Sequence, residues 1–228
     1  MSEFAAGPAG RIERVRALMA ERGYDAIVVR DEANLRWLTG VKGVFDYTFE
    51  FPHAAFITAD QCLFHTDSRY LNSFEENTPA GSPWVYDMDE GTIPGWVAGK
   101  IAANKCRVCA VEDDMQINFY QGIQRGLEDR SVACMLPLMH DDIRKMRAIK
   151  DAEEIELMRH AQSITDAAFQ HMLGFIKPGM TEKQVRNELE NFMFANGADS
   201  LAFGSIVASG PNTANPHAVP SDRGIGKG

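Results

Sequence analysis

Up to Met139, short β-branched runs alternate with amphipathic stretches, and this alternation restricts the first part of the chain to helices layered on a sheet. Arg11 to Arg22 sets Ile12, Val15, Leu18 and Met19 on one helical face, and Gly23 follows as a stop. Asp25-Ala26-Ile27-Val28-Val29-Arg30 then suits a buried strand, and Asn34 to Leu38 reads as a short helical turn ended by Thr39-Gly40. Ala54 to Thr58 and Gln61 to His65 flank Ala59-Asp60 as the arms of a hairpin. A helix around Pro94 to Asn104, a strand at Cys106, a helix around Asn118 to Leu127 and a short strand near Ser131 to Met135 follow. The expectation is an α/β domain over residues 1–139.

The charged residues 140–150 are expected to form a linker, because the chain beyond them changes character. Asp151-Ala152-Glu153-Glu154 is a capping box with Asp151 as N-cap and Glu154 at N3. It opens a long helix with Ile155, Met158, Ala161, Thr165, Ala168, Phe169 and Met172 on one face, ended by Lys177-Pro178-Gly179. Thr181-Glu182-Lys183-Gln184 is a second capping box, whose helix turns Val185, Leu189, Phe192 and Met193 inward and stops at Asn196-Gly197. Ser205 to Ala208 reads as a buried apolar strand leading into a Gly210-Pro211-Asn212 turn. The loop beyond carries His217 between Pro216 and Pro220, with Ser221-Asp222-Arg223 as polar neighbours.

Composition removes several function classes. A net charge of -9 with scattered Lys and Arg opposes binding to a nucleic-acid backbone, which needs a clustered basic surface. No apolar run approaches the roughly 20 residues that span a bilayer. The first ten residues lack the basic-then-apolar pattern of a secretory signal, so a cytoplasmic location is expected. Cys106 and Cys109 lie three apart in an expected strand and would point to opposite faces, which favours two buried fillers over a metal half-site.

Among the titratable residues, His160 and His171 are eleven apart on one expected helix. That spacing is roughly 16 Å along the axis, too far to share a metal, so solvated or capping roles are expected. Asp141-Asp142 and Glu153-Glu154 are read as charge complementing helix N-termini, and Asp113-Asp114 as a solvated turn. Arg69 is open between an internal pair with Asp67 and a contact across a domain or subunit boundary. His217 stands apart, since its loop is stiffened by prolines and lined with polar groups as a ligand-facing loop would be. A single imidazole still needs a nucleophile, a metal or a second acid/base group to drive hydrolysis.

The chain closely resembles the creatinase, Xaa-Pro aminopeptidase and prolidase family of two-domain pita-bread metallopeptidases. The resemblance rests on Asn34-Leu35-Arg36-Trp37-Leu38-Thr39-Gly40, on His65-Thr66-Asp67-Ser68-Arg69-Tyr70 and on Ile143 to Lys150 followed by Glu153 to Arg159. It continues through Pro178-Gly179-Met180-Thr181-Glu182 and the segment Ser205 to Arg223. It implies an α/β fold: an N-terminal creatinase-like, ribonuclease-H-like mixed-sheet domain, then the incomplete beginning of an α+β pita-bread domain over 151–228. It also implies that His217 is a catalytic and substrate-binding residue and not a metal ligand. Two divalent ions, manganese, cobalt or zinc, are implied for the full-length family member; their two aspartates, histidine and two glutamates have no counterpart in this sequence.

From this follow the expected activity, metal-dependent hydrolysis of the Xaa-Pro bond at peptide N-termini in the full-length relative, and the expectation that these 228 residues are inactive alone. A proline-containing peptide substrate and a homodimer are the implied partners, with no nucleic acid and no membrane. The alternatives are a non-catalytic binding or dimerisation module and a creatinase-type amidinohydrolase.

Overall fold

The structure is a computed structural model that describes residues 7–45, 52–88 and 91–227. The chain divides into two compact units, with the division between Ile149 and Lys150.

In the first unit, the described residues form a mixed sheet of five strands in the order β4-β3-β2-β1-β5. They are β1 (Ala26–Val29), β2 (Ala54–Thr58), β3 (Cys62–His65), β4 (Val85–Asp87) and β5 (Cys109–Val111). The hairpin is present, with Ala55 opposite Phe64 and Ile57 opposite Cys62, and β1 adds antiparallel to β2 with Ile27 opposite Ile57. β5 runs parallel to β1 and β4 parallel to β3.

Alternate residues of β1 serve opposite faces, as the period of two in a strand requires. Ile27 and Val29 join Ile12, Val15 and Met19 of α1 (Gly7–Arg22), Leu35 and Leu38 of α2 (Glu32–Thr39) and Phe74 of α3 (Leu71–Asn77). Ala26 and Val28 face Trp96, Val97 and Ile101 of α4 (Ile93–Ala103) and Phe119, Ile123 and Leu127 of α5 (Ile117–Glu128). Helices therefore cover both faces of the sheet. Gly40 ends α2 at φ 70°, and a Cβ there would lie 2.5 Å from Pro8 Cγ, so both conformation and space select glycine.

Several expectations change here. Met135 and Leu138 make only isolated parallel bridges to Val108 and Val111, so no strand forms near Ser131 to Met135. Cys106 lies in a turn ahead of β5, after Lys105 at φ 52°, and strand alternation does not apply to it. Both it and Cys109 are buried in the core cluster on the α4 and α5 side, as free thiols. Burial pushes Cys106 up to about 11 and Cys109 well above the ordinary thiol range, which leaves both inert as nucleophiles. The charged segment 140–150 carries α6 (Asp142–Ala148), which contacts α2 and places Ile143 in the core; the first unit runs through Ile149.

The second unit is built on α7 (Ala152–Phe175) and α8 (Glu182–Ala195). Both capping boxes are formed, with Asp151 Oδ1 accepting from Glu154 N–H and Thr181 Oγ1 accepting from Gln184 N–H. Ile164, Ala168 and Met172 of α7 are buried with Val185 of α8, while Ile155, Met158 and Phe169 are exposed. The inward face of α7 is thus rotated from the one expected. Among the described residues no strand lies beside Ser205 to Ala208, and this segment is only partly buried, with Ile206 45% exposed. Without a partner its backbone makes no ladder, which is why the expected buried strand is missing. No helix of the described residues is long and apolar enough to cross a membrane.

Candidate functional site

His217 lies in the second unit on an exposed turn whose flanks are fixed. Its neighbours Ala218 and Pro220 are buried while the imidazole faces solvent. The His217 N–H donates to Asn215 Oδ1 at 3.1 Å, and Ala218 N–H donates to the Asn215 carbonyl at 3.2 Å. Asn215 N–H in turn donates to the Asn212 carbonyl at the end of a short 3-10 turn over Gly210–Ala214. Gly210 has φ 53°, and a Cβ there would meet Arg223 Nη2 at 3.0 Å.

Both arms of the loop reach the same side chain, Glu182. One carboxylate oxygen accepts from Ser209 N–H at 2.7 Å and from the Ser209 hydroxyl at 3.0 Å. The other accepts from Ser221 N–H at 3.1 Å and from the Ser221 hydroxyl at 2.7 Å. The Asn212 amide donates to both oxygens, at 3.2 and 3.1 Å. Glu182 is 0% exposed, and the Ser221 hydroxyl leads the hydrogen bonds that hold its carboxyl down at about 2. Its position at the start of α8 adds the favourable end of the helix dipole.

The second arm is also stitched to the segment ahead of α8. Thr181 bridges Gly224, Gly179 N–H donates to the Ile225 carbonyl, and Lys183 Nζ lies 2.8 Å from Asp222 Oδ2. Pro178-Gly179-Met180-Thr181-Glu182 and the Ser205 to Arg223 segment, far apart in sequence, therefore form one structure. The sequence places Glu182 only as a first-turn helix acid; its partners lie 27 to 39 residues away, where no local pattern reveals them.

The remaining candidates stay outside this site. His160 is exposed, and His171 Nε2 meets Glu188 Oε1 at 2.6 Å with its ring stacked on Phe192. Arg69 grips Asp67 through Nε and Nη2, the internal pair of the two readings left open, and this holds the Asp67 carboxyl below its ordinary value. Asp113 and Asp114 lie in a turn after β5, and Asp113 Oδ2 accepts from the Asp141 N–H at 2.8 Å, a tie to the start of α6.

The first unit holds a cavity of about 300 Å³ lined by residues including Asp31, Asn34, Glu112 and Arg147. Glu112 accepts there from the backbone N–H groups of Arg30 and Asp31 and from the Asn34 amide. Burial outweighs these bonds and pushes its carboxyl up to about 7. Arg147 extends the network, donating to Asn34 Oδ1 at 2.7 Å.

The family resemblance implies two divalent ions. Among the described residues no three His, Cys, Asp or Glu side chains gather where they could hold a metal, so the residues present do not fit that pair. Chemically, the loop presents one exposed imidazole on a turn tied to a buried carboxylate.

Comparison with known proteins agrees with this division. The family model of the creatinase/prolidase N-terminal domain matches residues 11–149, and that of metallopeptidase family M24 matches residues 156–228. An uncharacterized peptidase, YqhT, of Bacillus subtilis (strain 168) is 31% identical over 225 residues, which are 96% of this chain and 58% of the relative. A solved Xaa-Pro dipeptidase from Bacillus anthracis has a TM-score of 0.83 at 31% identity, covering 97% of this chain and 59% of that one. A solved X-Pro aminopeptidase from Thermotoga maritima MSB8 has a TM-score of 0.78 at 27% identity, covering 95% and 58%. The chain thus spans rather less than two thirds of the length of these relatives. It belongs to the creatinase/prolidase family of M24 peptidases, of which it carries the N-terminal domain and the first part of the pita-bread domain.

Proposed function

We propose that this chain forms the N-terminal domain and one substrate-side wall of a metal-dependent peptidase that hydrolyses the Xaa-Pro bond at peptide N-termini. The observation that carries this is His217, exposed on a turn just ahead of the buried Ala218 and Pro220, inside the segment matched by the M24 model. His217 is read as the group that binds the substrate and steadies the reacting carbonyl. Two divalent ions would supply the activated water, on ligands from the portion of the relatives that has no match here. By themselves the 228 residues are read as inactive. Free thiols at all four cysteines support a reducing compartment, the cytoplasm, and the assembly is read as a homodimer.

The test is a chimera joining these residues to the remaining portion of the Bacillus anthracis Xaa-Pro dipeptidase. With manganese, cobalt or zinc supplied, it is expected to cleave Xaa-Pro dipeptides in preference to matched dipeptides without proline, while the chain alone cleaves neither. A folded, metal-loaded chimera with no such preference contradicts the proposal. The exposed Met158, Phe169 and Leu173 of α7 favour a second reading, a non-catalytic association module. A chimera without peptidase activity, together with a stoichiometric protein partner of the chain, would select that reading.

A further inference from the structure

We propose that Glu182 is the positioning residue of the His217 loop: one buried carboxylate fastens both arms, and its two oxygens fix where the imidazole stands. The inference rests on the reading of His217 as a substrate-side group. Among the described residues, the six hydrogen bonds to the Glu182 carboxylate come from donors on Ser209, Asn212 and Ser221. A carboxylate is the side chain that can accept at both ends. An amide would turn one end into a donor facing the backbone N–H of Ser209 or Ser221, and a backbone N–H cannot reverse its role. The serine hydroxyls can rotate to compensate; the main chain cannot.

The two arms differ in what else holds them. The second arm keeps the Thr181 to Gly224 bridge, the Glu182 N–H bond to the Arg223 carbonyl and the Lys183 N–H bond to the Ser221 carbonyl. For Ser209 to Asn212, among the described residues, every hydrogen bond that leaves the loop ends on Glu182. From Asn212 the path continues through Asn215 to the His217 N–H. Loss of the carboxylate therefore frees the first arm, and the His217 turn with it, while α8 stays in place.

The experiment is amide hydrogen exchange and His217 ring spectroscopy by NMR on the full chain, comparing the parent with Glu182→Gln. The expected result is exchange at Ser209 and His217 faster by about tenfold or more, with shifted ring signals. Protection at Ala168 and Met172 of α7 should stay within about twofold of the parent. Lowering the pH toward protonation of the carboxylate should loosen the first arm in the parent and leave the Gln variant flat, a charge-specific response that a packing role would not give. Unchanged Ser209 and His217 exchange and ring signals beside a protected α7 would overturn the proposal.

Should Glu182→Gln fail to fold, Asn212→Ala leaves the carboxylate, both serines and the Asn215 N–H bond to the Asn212 carbonyl intact and removes the amide that joins Asn212 to Glu182. It is expected to speed His217 exchange, and no change there would equally overturn the proposal. These readouts use no peptide, so they stand or fall separately from the assignment of Xaa-Pro substrates.

Discussion

Two carboxylates show how burial and hydrogen bonding compete at a single residue. Glu112 and Glu182 are both buried, yet burial dominates the first and donor hydrogen bonds the second. For Glu112, the folded value of about 7 lies above the ordinary 4.5. Its contribution to stability is complete below pH 4.5 and is lost as the pH rises through about 7, on the order of 3 kcal/mol in all. Urea unfolding followed by the tryptophans of the first unit should give a lower midpoint at pH 8 than at pH 5, and Glu112→Gln should flatten that difference. Equal midpoints in the parent would refute it. For Glu182 the sign reverses: the folded value of about 2 lies below the ordinary 4.5, so stabilisation is present above 4.5 and fades as the pH falls toward 2.

At the scale of elements, what the sequence made legible was whatever a local pattern encodes. Both capping boxes, the β2–β3 hairpin and the Gly40 stop of α2 depend on residues within a few positions of one another. Replacing Asp151 or Thr181 by Ala should therefore destabilise the second unit by about 1 kcal/mol each, measured by thermal unfolding followed by circular dichroism. No loss in either variant would show that these caps are redundant. Gly40→Ala should cost more than either cap, because it combines a left-handed φ with a close approach to Pro8. The expectations that failed rest on distant partners. Ser205 to Ala208 has the composition of a strand but no neighbour to pair with among the described residues, and α6 gains its place from Ile143 in a core assembled by distant helices. The same holds for the site, where the loop bearing His217 was legible and the carboxylate that ties it was not.

At the scale of the whole molecule, the chain consists of two compact units that meet in sequence at Ile149 and Lys150, the first of which is 76% exposed. Lys150 belongs to neither α6 nor α7, so limited trypsin digestion should cut after it early and release two resistant fragments. Early cleavage inside α5 or α8 instead would contradict the division. The exposed apolar side chains of α7 and of Phe203 and Ile206 make the second unit the more prone to associate. His217 is the one side chain proposed to join that unit to peptidase chemistry. The most direct test of this role is kcat/KM for an Xaa-Pro dipeptide in the metal-loaded chimera, with His217 and with His217→Ala. A fall of about a hundredfold is expected, with metal content unchanged. Equal values for the two proteins would contradict it.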